Sequence, residues 1–559
     1  MSRFLAMLLD AAHRSDRGIT TGEPREPVRR TWPQVHETAL RMAATLRAGA
    51  PGVPPLRPGA AVAVLAGEPA AIAPAAQAVW LCAGSVTMLH QPTARTDLAR
   101  WAADTVTVLE MVGAELVLLG APFEALAPVL EERGIAFRVI DELAAADPVA
   151  EPSADVAAED DTALLQLTSG STAHPKAVRI THRNLYANIT AMVEASRLDP
   201  QRDVMVSWLP LFHDMGMVGF LTVPMVTGLE LVTVTPADFL TRPLLWAQLI
   251  SSYGGTVTAA PNFAYAVLGR QLAKADEGSL DLSTLRFALN GAEPVDPDAV
   301  EAFTRAGARF GLRREAVVAA YGMAETALGV SFAPCDVGLE IDRIDAEELE
   351  AGRRAVPTVA EGAAVARRFP LLGPPLAGLE VRVVGDDGTV LGEREVGVLQ
   401  LRGESVTPGY LTVEGPRSAQ DAEGWLDTGD EGYLAGGAVV VCGRRKDVII
   451  MAGRNIYPTD IERAAAAADG VRAGNVVAVR LVADDTRHRE SFLVVVESRG
   501  AGEAEAERLI RKDVTARVVS ATGVRPADVV VLAPGSLPKT PSGKLRRAAT
   551  GDLLATTRP

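Results

Sequence analysis

The sequence predicts an α/β protein: a large N-terminal domain of stacked α/β subdomains that ends in a small β subdomain, followed by a small α+β C-terminal domain. Three observations carry this reading. Short β-rich apolar runs alternate with amphipathic stretches through most of the 559 residues, the pattern of βαβ units and parallel sheet. Between residues 381 and 433 the texture changes to short strands with turn signals. A last unit of roughly a hundred residues, a common domain size, then carries its own strands and helices.

The first run, AAVAVLAG at 60–67, is short, apolar and closed by glycine, as a buried strand should be. The longest apolar stretch, 70–89, is rich in alanine and interrupted by Pro74, Gln77 and Gly84. It is expected to be a buried helix leading into a strand, SVTML, and not a membrane span, which needs about 20 uninterrupted apolar residues. A helical segment and the strand AELVLLG at 114–120 follow. Further runs, DVMVSWLP, ELVTV, GGTVTAAP, LRFALNG and AVVAAYG, end in residues suited to line a crevice at strand C-termini, where doubly wound sheets hold ligands. In VRVVGDDGTVLGEREVGVLQLRG at 381–403, Asp387-Gly388 marks a hairpin turn. The final unit contributes VVAVRLV, SFLVVVES and a helix from near Gly502. The domains are expected at 1–443, with the β subdomain at 381–433, a hinge at 444–447, and 448–559. No repeat of solenoid period is present.

Composition narrows the function. Hydrophobic residues are 48% and charged residues 22% of the chain, ordinary globular values. The net charge of −15 argues against a nucleic-acid surface, which needs a basic face to displace counterions. Cys82, Cys335 and Cys442 are far apart and form no zinc or disulfide pattern. No signal-peptide cleavage site follows the short apolar N-terminal run, so a cytoplasmic enzyme is expected.

The stretch LTSGSTAHPKAV at 167–178 packs hydroxyls, glycine and one lysine after an apolar run. A phosphate loop of the Walker type places glycine directly before its lysine, whereas Pro175 precedes Lys176 here. The turn can still offer backbone N–H and hydroxyl donors to phosphate oxygens. Six more motifs follow in order: SWLPLFHDMGMVG at 207–219, LNGAEPV at 289–295, YGMAET at 321–326, GWLDTGD at 424–430, GRRKDVIIMAGRNIYPTDIE at 443–462 and LPKTPSGKLRR at 537–547. At these seven sites the chain resembles the adenylate-forming (ANL) superfamily of acyl-CoA synthetases, peptide-synthetase adenylation domains, luciferases and fatty acyl-AMP ligases.

The resemblance implies a reaction in which a carboxylate attacks the α-phosphate of ATP, pyrophosphate leaves, and a thiol then takes the acyl group. It implies ATP and Mg2+ as cofactors, and a C-terminal domain that turns about Lys446. Thr168, Ser169, Gly170, Ser171, Thr172 and Lys176 would hold the β- and γ-phosphates. Asn290, Gly291, Ala292 and Glu293 match the strand along the adenine edge, with Tyr321, Gly322, Met323 and Ala324 against the base. Glu325 matches the Mg2+ ligand, and a hard cation bridging phosphates suits one carboxylate plus waters. Asp430 would take the ribose hydroxyls, with Arg444 beside it. His213, Asp214, Met215 and Gly216 fall near the carboxylate end of the acyl pocket. Lys544 would bring positive charge to the reacting oxygens. Preorganised charge of that kind is usually the largest catalytic term.

Three details resemble the fatty acyl-AMP ligase branch, which passes the acyl group to a carrier protein's phosphopantetheine: HDMG with NGAEPV and YGMAE, the segment AGRNIYPTDIE, and the long interval at 331–370, expected to be an insertion. Ala177 departs from the family by replacing a common glycine. A complete acyl-CoA synthetase, handover through a separate partner protein, and a non-catalytic nucleotide-binding relative stay open as alternatives. No GxSxG motif supports a serine hydrolase.

Overall fold

The computed structural model describes every residue except 51, 93–95, 146, 148–156, 169–174, 363, 452, 482–489, 540–544 and 558–559. The chain is mixed α/β and divides into two compact units. One comprises Met1–Leu339, Pro375–Glu380 and Arg402–Leu426; the other comprises Glu340–Pro374, Val381–Leu401 and Asp427–Pro559.

The first unit is built on two eight-stranded sheets. One runs Gly329–Phe332, Val317–Gly322, Phe287–Gly291, Val257–Pro261, Val204–Ser207, Glu230–Thr233, Gly18–Thr21, Val28–Thr31. Its interior strands are parallel and each outermost strand is antiparallel to its neighbour. Each interior strand of the motif-bearing half is an apolar run because both sheet faces are covered; Val257–Pro261, for example, is buried along its whole length. The other sheet runs Gly415–Ser418, Gly409–Thr412, Lys176–Thr181, Thr162–Thr168, Ser85–Met88, Ala61–Leu65, Ala114–Leu119, Phe137–Val139. The 70–89 stretch resolves as expected into a buried helix, Pro69–Leu81, and the strand Ser85–Met88. Among the described residues no helix is long and apolar enough to cross a membrane.

The helix His182–Ala195 links these two sheets. A capping box starts it, with the Thr181 hydroxyl on the Asn184 N–H and the Asn184 side chain returning to Thr181, which satisfies two otherwise orphaned donors. One turn on, the Asn188 amide donates to the Gly329 carbonyl at 2.8 Å and accepts the Gly329 N–H at 2.9 Å. At its start His182 is wholly buried, with Nδ1 2.9 Å from the Ser2 hydroxyl and its ring edge-on to Phe4. Burial pushes its pKa down to about 4, because a second ring N–H would find no acceptor: among the described residues Nε2 has no partner. The unfolded chain then binds the extra proton between pH 6.5 and 4 while the folded chain does not, so stability falls as pH drops through that window, by up to about 3 kcal/mol. We expect His182→Asn to flatten the pH dependence of the unfolding midpoint between those limits, as followed by circular dichroism.

In the second unit the strands Ile341–Asp345 and Ala366–Pro370 pair antiparallel, and a four-stranded sheet runs Leu379–Val384, Gly397–Gly403, Leu426–Ala435, Ala438–Arg444. Gly388 sits at positive φ in the turn expected at Asp387-Gly388. A hairpin, Ile449–Met451 with Arg454–Ile456, precedes a three-stranded sheet of Val471–Leu481, Ser491–Ser498 and Asp528–Leu532. The helices Pro458–Ala466 and Ala504–Thr522 close over it on Ile461, Phe492, Val494, Val514 and Val518. Glu350, 1% exposed, is held by Arg367 and by Arg454, whose Nε lies 2.9 Å from the carboxylate. Arg367 also faces Asp460 at 3.1 Å.

Candidate active site

In the first unit the motifs at 207–219, 289–295 and 321–326 lie at the C-terminal ends of parallel strands of one sheet, and Thr168 and Lys176 lie on adjacent antiparallel strands of the other. Thr168 ends one strand and is paired in register with Lys176, which opens the next. Ser169, Gly170, Ser171 and Thr172, expected in the loop between them, lie outside the described residues. The Thr168 hydroxyl is buried and has no hydrogen bond among the described residues. The Lys176 ammonium lies 3.2 Å from Glu325 Oε1 and 4.2 Å from the centre of the Tyr410 ring. The Tyr410 hydroxyl donates to the same Glu325 oxygen at 3.2 Å. The resemblance gives Lys176 and Glu325 separate roles; the fold brings them into contact.

Glu325 sits on a single 3-10 turn, Ala324–Thr326, after the strand Val317–Gly322. The turn is fixed by backbone bonds: Met323 N–H to the Leu328 carbonyl at 2.8 Å, and Thr407 N–H to the Glu325 carbonyl at 2.7 Å. Gly322 has to be glycine, because a Cβ there would lie 2.3 Å from the Leu328 oxygen. Tyr321, beside it, is half-buried, with its hydroxyl 3.9 Å from the Met323 sulfur.

LNGAEPV runs from the end of the strand Phe287–Gly291 into a turn against the start of the helix Asn262–Leu272. The fully buried Asn290 amide donates to Asn262 Oδ1 at 3.1 Å, and the Glu293 carboxylate accepts the Phe263 N–H at 2.6 Å, a favourable place for negative charge at a helix N-terminus. Both side chains therefore brace the turn. Ala292 is left at φ +66°, an uncommon conformation for a residue with a Cβ, and the Gly291 backbone passes close to the Ala320 carbonyl.

His213 Nδ1 lies 2.6 Å from Asp214 Oδ1, which also accepts the Met215 N–H at 2.7 Å. Gly216 follows with no room for a Cβ, which would meet the Pro210 oxygen at 2.2 Å, and Met215 is buried. Gln166 ties this segment to the strand before the phosphate loop, donating to the Phe212 carbonyl at 2.9 Å. His90 packs edge-on against Phe212; burial first, and then the charge of His213, push its pKa down to about 4. Trp208 stacks on Phe239 at 3.9 Å with Trp246 and Phe263 around it, an apolar aromatic wall next to the His213 segment.

In the second unit Asp430 and Arg444 stand opposite each other on antiparallel strands, with Arg444 Nε 2.8 Å from Asp430 Oδ1. The Asp430 carboxylate is nearly buried and its N–H donates to the Thr428 hydroxyl at 3.0 Å. Lys446 is exposed on the short turn Arg445–Asp447. Asp447 pairs with Arg547 at 2.6 Å, and Arg547 with Glu462 at 2.7 Å. Lys544 lies outside the described residues. Among the described residues no group of three His, Cys, Asp or Glu could hold a metal ion by itself.

A family model described as AMP-binding enzyme matches residues 10–411. The chain belongs to the AMP-binding enzyme family. It is an ATP-using ligase of the acyl-adenylate-forming kind, as the seven motifs imply. This AMP-binding enzyme is 56% identical over 556 residues to Rv1013 of Mycobacterium tuberculosis, named as a ligase, over 99% of this chain and 100% of that one. It is 34% identical over 413 residues to the long-chain-fatty-acid–AMP ligase FadD26 of Mycobacterium marinum, over 69% of each chain. A solved structure from a study of fatty acyl-adenylate ligases of E. coli and L. pneumophila superimposes with a TM-score of 0.86 at 29% identity, covering 100% of this chain and 98% of that one.

Tyr410, Thr407 and Asn262 were not singled out in the sequence. Tyr410 falls between two motifs, in SVTPGYL, and its one signal is the glycine before it.

Proposed function

We propose that the chain activates a fatty or other bulky apolar carboxylic acid as its acyl-adenylate and passes the acyl group to the phosphopantetheine thiol of a carrier protein. The observation that carries this reading is the Lys176–Glu325–Tyr410 cluster beside the paired strand ends Thr168 and Lys176. It places one cation and one nearly buried carboxylate where a nucleotide's phosphates would need a charge partner and a metal ligand. A lone carboxylate fits a Mg2+ that arrives with ATP and keeps its waters and phosphate oxygens as further ligands. When bound, that ion screens the phosphate charge.

In the step itself the acid's carboxylate oxygen forms a bond to the α-phosphorus and the bond to the β-phosphate oxygen breaks, releasing pyrophosphate. Lys176 would shift from Glu325 to the phosphates, leaving the Glu325 carboxylate to take the metal in place of the ammonium. Asp430 suits the ribose hydroxyls as an acceptor held in place by Arg444. The aromatic wall around Trp208 and the His213 segment suits the acid, apolar chain to the wall and carboxylate towards the polar end. Similarity to named long-chain-fatty-acid–AMP ligases supports the substrate class, and Lys446 is the proposed pivot between adenylation and transfer.

The purified chain with ATP, Mg2+ and a panel of carboxylic acids should exchange labelled pyrophosphate into ATP, most strongly with long apolar acids. No exchange with any acid would sink the reading. With the active acid identified, CoA, a holo carrier protein or no thiol is then supplied; thioester is expected on the carrier, and efficient acyl-CoA formation would move the chain to the complete CoA synthetases.

A further inference from the structure

We infer that Tyr410 is a positioning residue of the metal–nucleotide site: its hydroxyl orients the Glu325 carboxylate for the cation, and its ring holds the Lys176 ammonium until phosphates replace it. The inference rests on the activity proposed above.

Strand pairing puts Tyr410 there. The strand Gly409–Thr412 lies antiparallel to Lys176–Thr181 with Tyr410 opposite Val178 and Thr412 opposite Lys176. Side chains alternate along a strand, so Lys176, Val178 and Tyr410 share a face, with Lys176 the diagonal neighbour of Tyr410. The ammonium accordingly lies over the ring at 4.2 Å, within cation–π range. The chain just before this strand reaches the other wall, where the Thr407 N–H holds the Glu325 carbonyl at 2.7 Å. One short strand thus spans the lysine strand and the glutamate turn.

The bonding of Glu325 is asymmetric. Oε1 receives both the Lys176 ammonium and the Tyr410 hydroxyl at 3.2 Å. Oε2 receives no hydrogen bond among the described residues, which leaves it free to accept another partner. Mg2+ requires near-ideal octahedral geometry, and a carboxylate that is the sole protein ligand has to be held against rotation. Lys176 cannot do this once it moves to phosphate. The Tyr410 hydroxyl remains on Oε1 in both states, fixing the plane of the carboxylate while Glu325 exchanges its ammonium partner for the cation.

The two parts of Tyr410 separate by substitution. Mn2+ is titrated into wild type, Y410F and Y410L, each with α,β-methylene-ATP, and free Mn2+ is read by its electron-spin signal. We expect Y410F, which keeps the ring, to weaken Mn2+ about ten- to a hundredfold, the scale of a lost hydrogen bond to a charged group. Its thermal midpoint and its affinity for the metal-free analogue should stay at wild-type values. Y410L should in addition lower the affinity for the metal-free analogue several-fold. In pyrophosphate exchange the half-saturating Mg2+ of Y410F should rise by the same factor with the KM for acid unchanged. Wild-type Mn2+ affinity in Y410F overturns the role of the hydroxyl, and Y410L matching Y410F overturns that of the ring. A wild type inert in exchange but with the expected Mn2+ titrations would overturn the proposed activity and leave Tyr410 as a metal-positioning residue.

Discussion

Replacing Lys544 with alanine is expected to slow acid-dependent pyrophosphate exchange on the order of a hundredfold or more, the cost of removing a charge that meets the transition state. At the pentacoordinate α-phosphorus the carboxylate oxygen enters and the pyrophosphate oxygen leaves along one axis, and negative charge gathers on the oxygens around the phosphorus in the transition state. A cation delivered there favours the transition state over bound ATP and acid, so its loss should fall on kcat and leave KM for both substrates near wild type. The segment carrying Lys544 is anchored just after it: Arg547 is clasped by Asp447 and Glu462, with its Nε 3.0 Å from the Ala478 carbonyl. The variant should therefore fold normally. It should also still transfer the acyl group from synthetic acyl-adenylate to the thiol acceptor, since that half-reaction does not involve the α–β bond. Single-turnover formation of acyl-adenylate measures the first step alone, and wild-type exchange in Lys544→Ala would show that this lysine is not the adenylating cation.

What the sequence made legible was local. A strand covered on both faces needs apolar residues at every position, so AAVAVLAG and GGTVTAAP read directly as the strands Ala61–Leu65 and Val257–Pro261. Glycines that admit a close backbone, such as Gly216 and Gly322, stand inside the motifs and mark turns the fold does build. Contacts set by tertiary register were not legible. Tyr410 meets Lys176 because two strands more than 200 residues apart in sequence pair in one register, and nothing within either strand encodes that. Side-chain contacts were equally hidden: the Asn290 amide donates to Asn262 Oδ1 while its own Oδ1 has no partner among the described residues, and Glu293 accepts the Phe263 N–H. Charged residues were the hardest to place. Lone glutamates and arginines are usually solvated, and only a partner brought from elsewhere makes burial tolerable.

Glu350 is the clearest case, and Glu350→Ala is expected to destabilise the second unit by about 3–5 kcal/mol. Its carboxylate joins Arg367, on a strand of the hairpin-like pair at 341–370, to Arg454 in the 449–456 hairpin, and Arg454 further donates to the Thr522 carbonyl at 2.9 Å. Glu350 and Arg367 are both almost fully buried, at 1% and 3% side-chain exposure. The pair is not worth much net of desolvation, but breaking it from one side leaves the buried Arg367 guanidinium without the Glu350 carboxylate, with Asp460 still facing it. The asymmetry gives the test its shape. Glu350→Ala should lower the urea midpoint strongly, whereas the combined Glu350→Leu, Arg367→Met, Arg454→Met variant, which removes all three charges together, should recover most of that loss. Glu505→Ala, which breaks the exposed pair with Arg508, should leave the midpoint where it is, because water already screens both partners. The network also joins residues on the two sides of 444–447. If the C-terminal domain turns about Lys446, Arg454 has to leave Glu350 or carry it along, and limited proteolysis of Glu350→Ala should then show faster cleavage after position 447 under conditions where the rest of the chain stays folded.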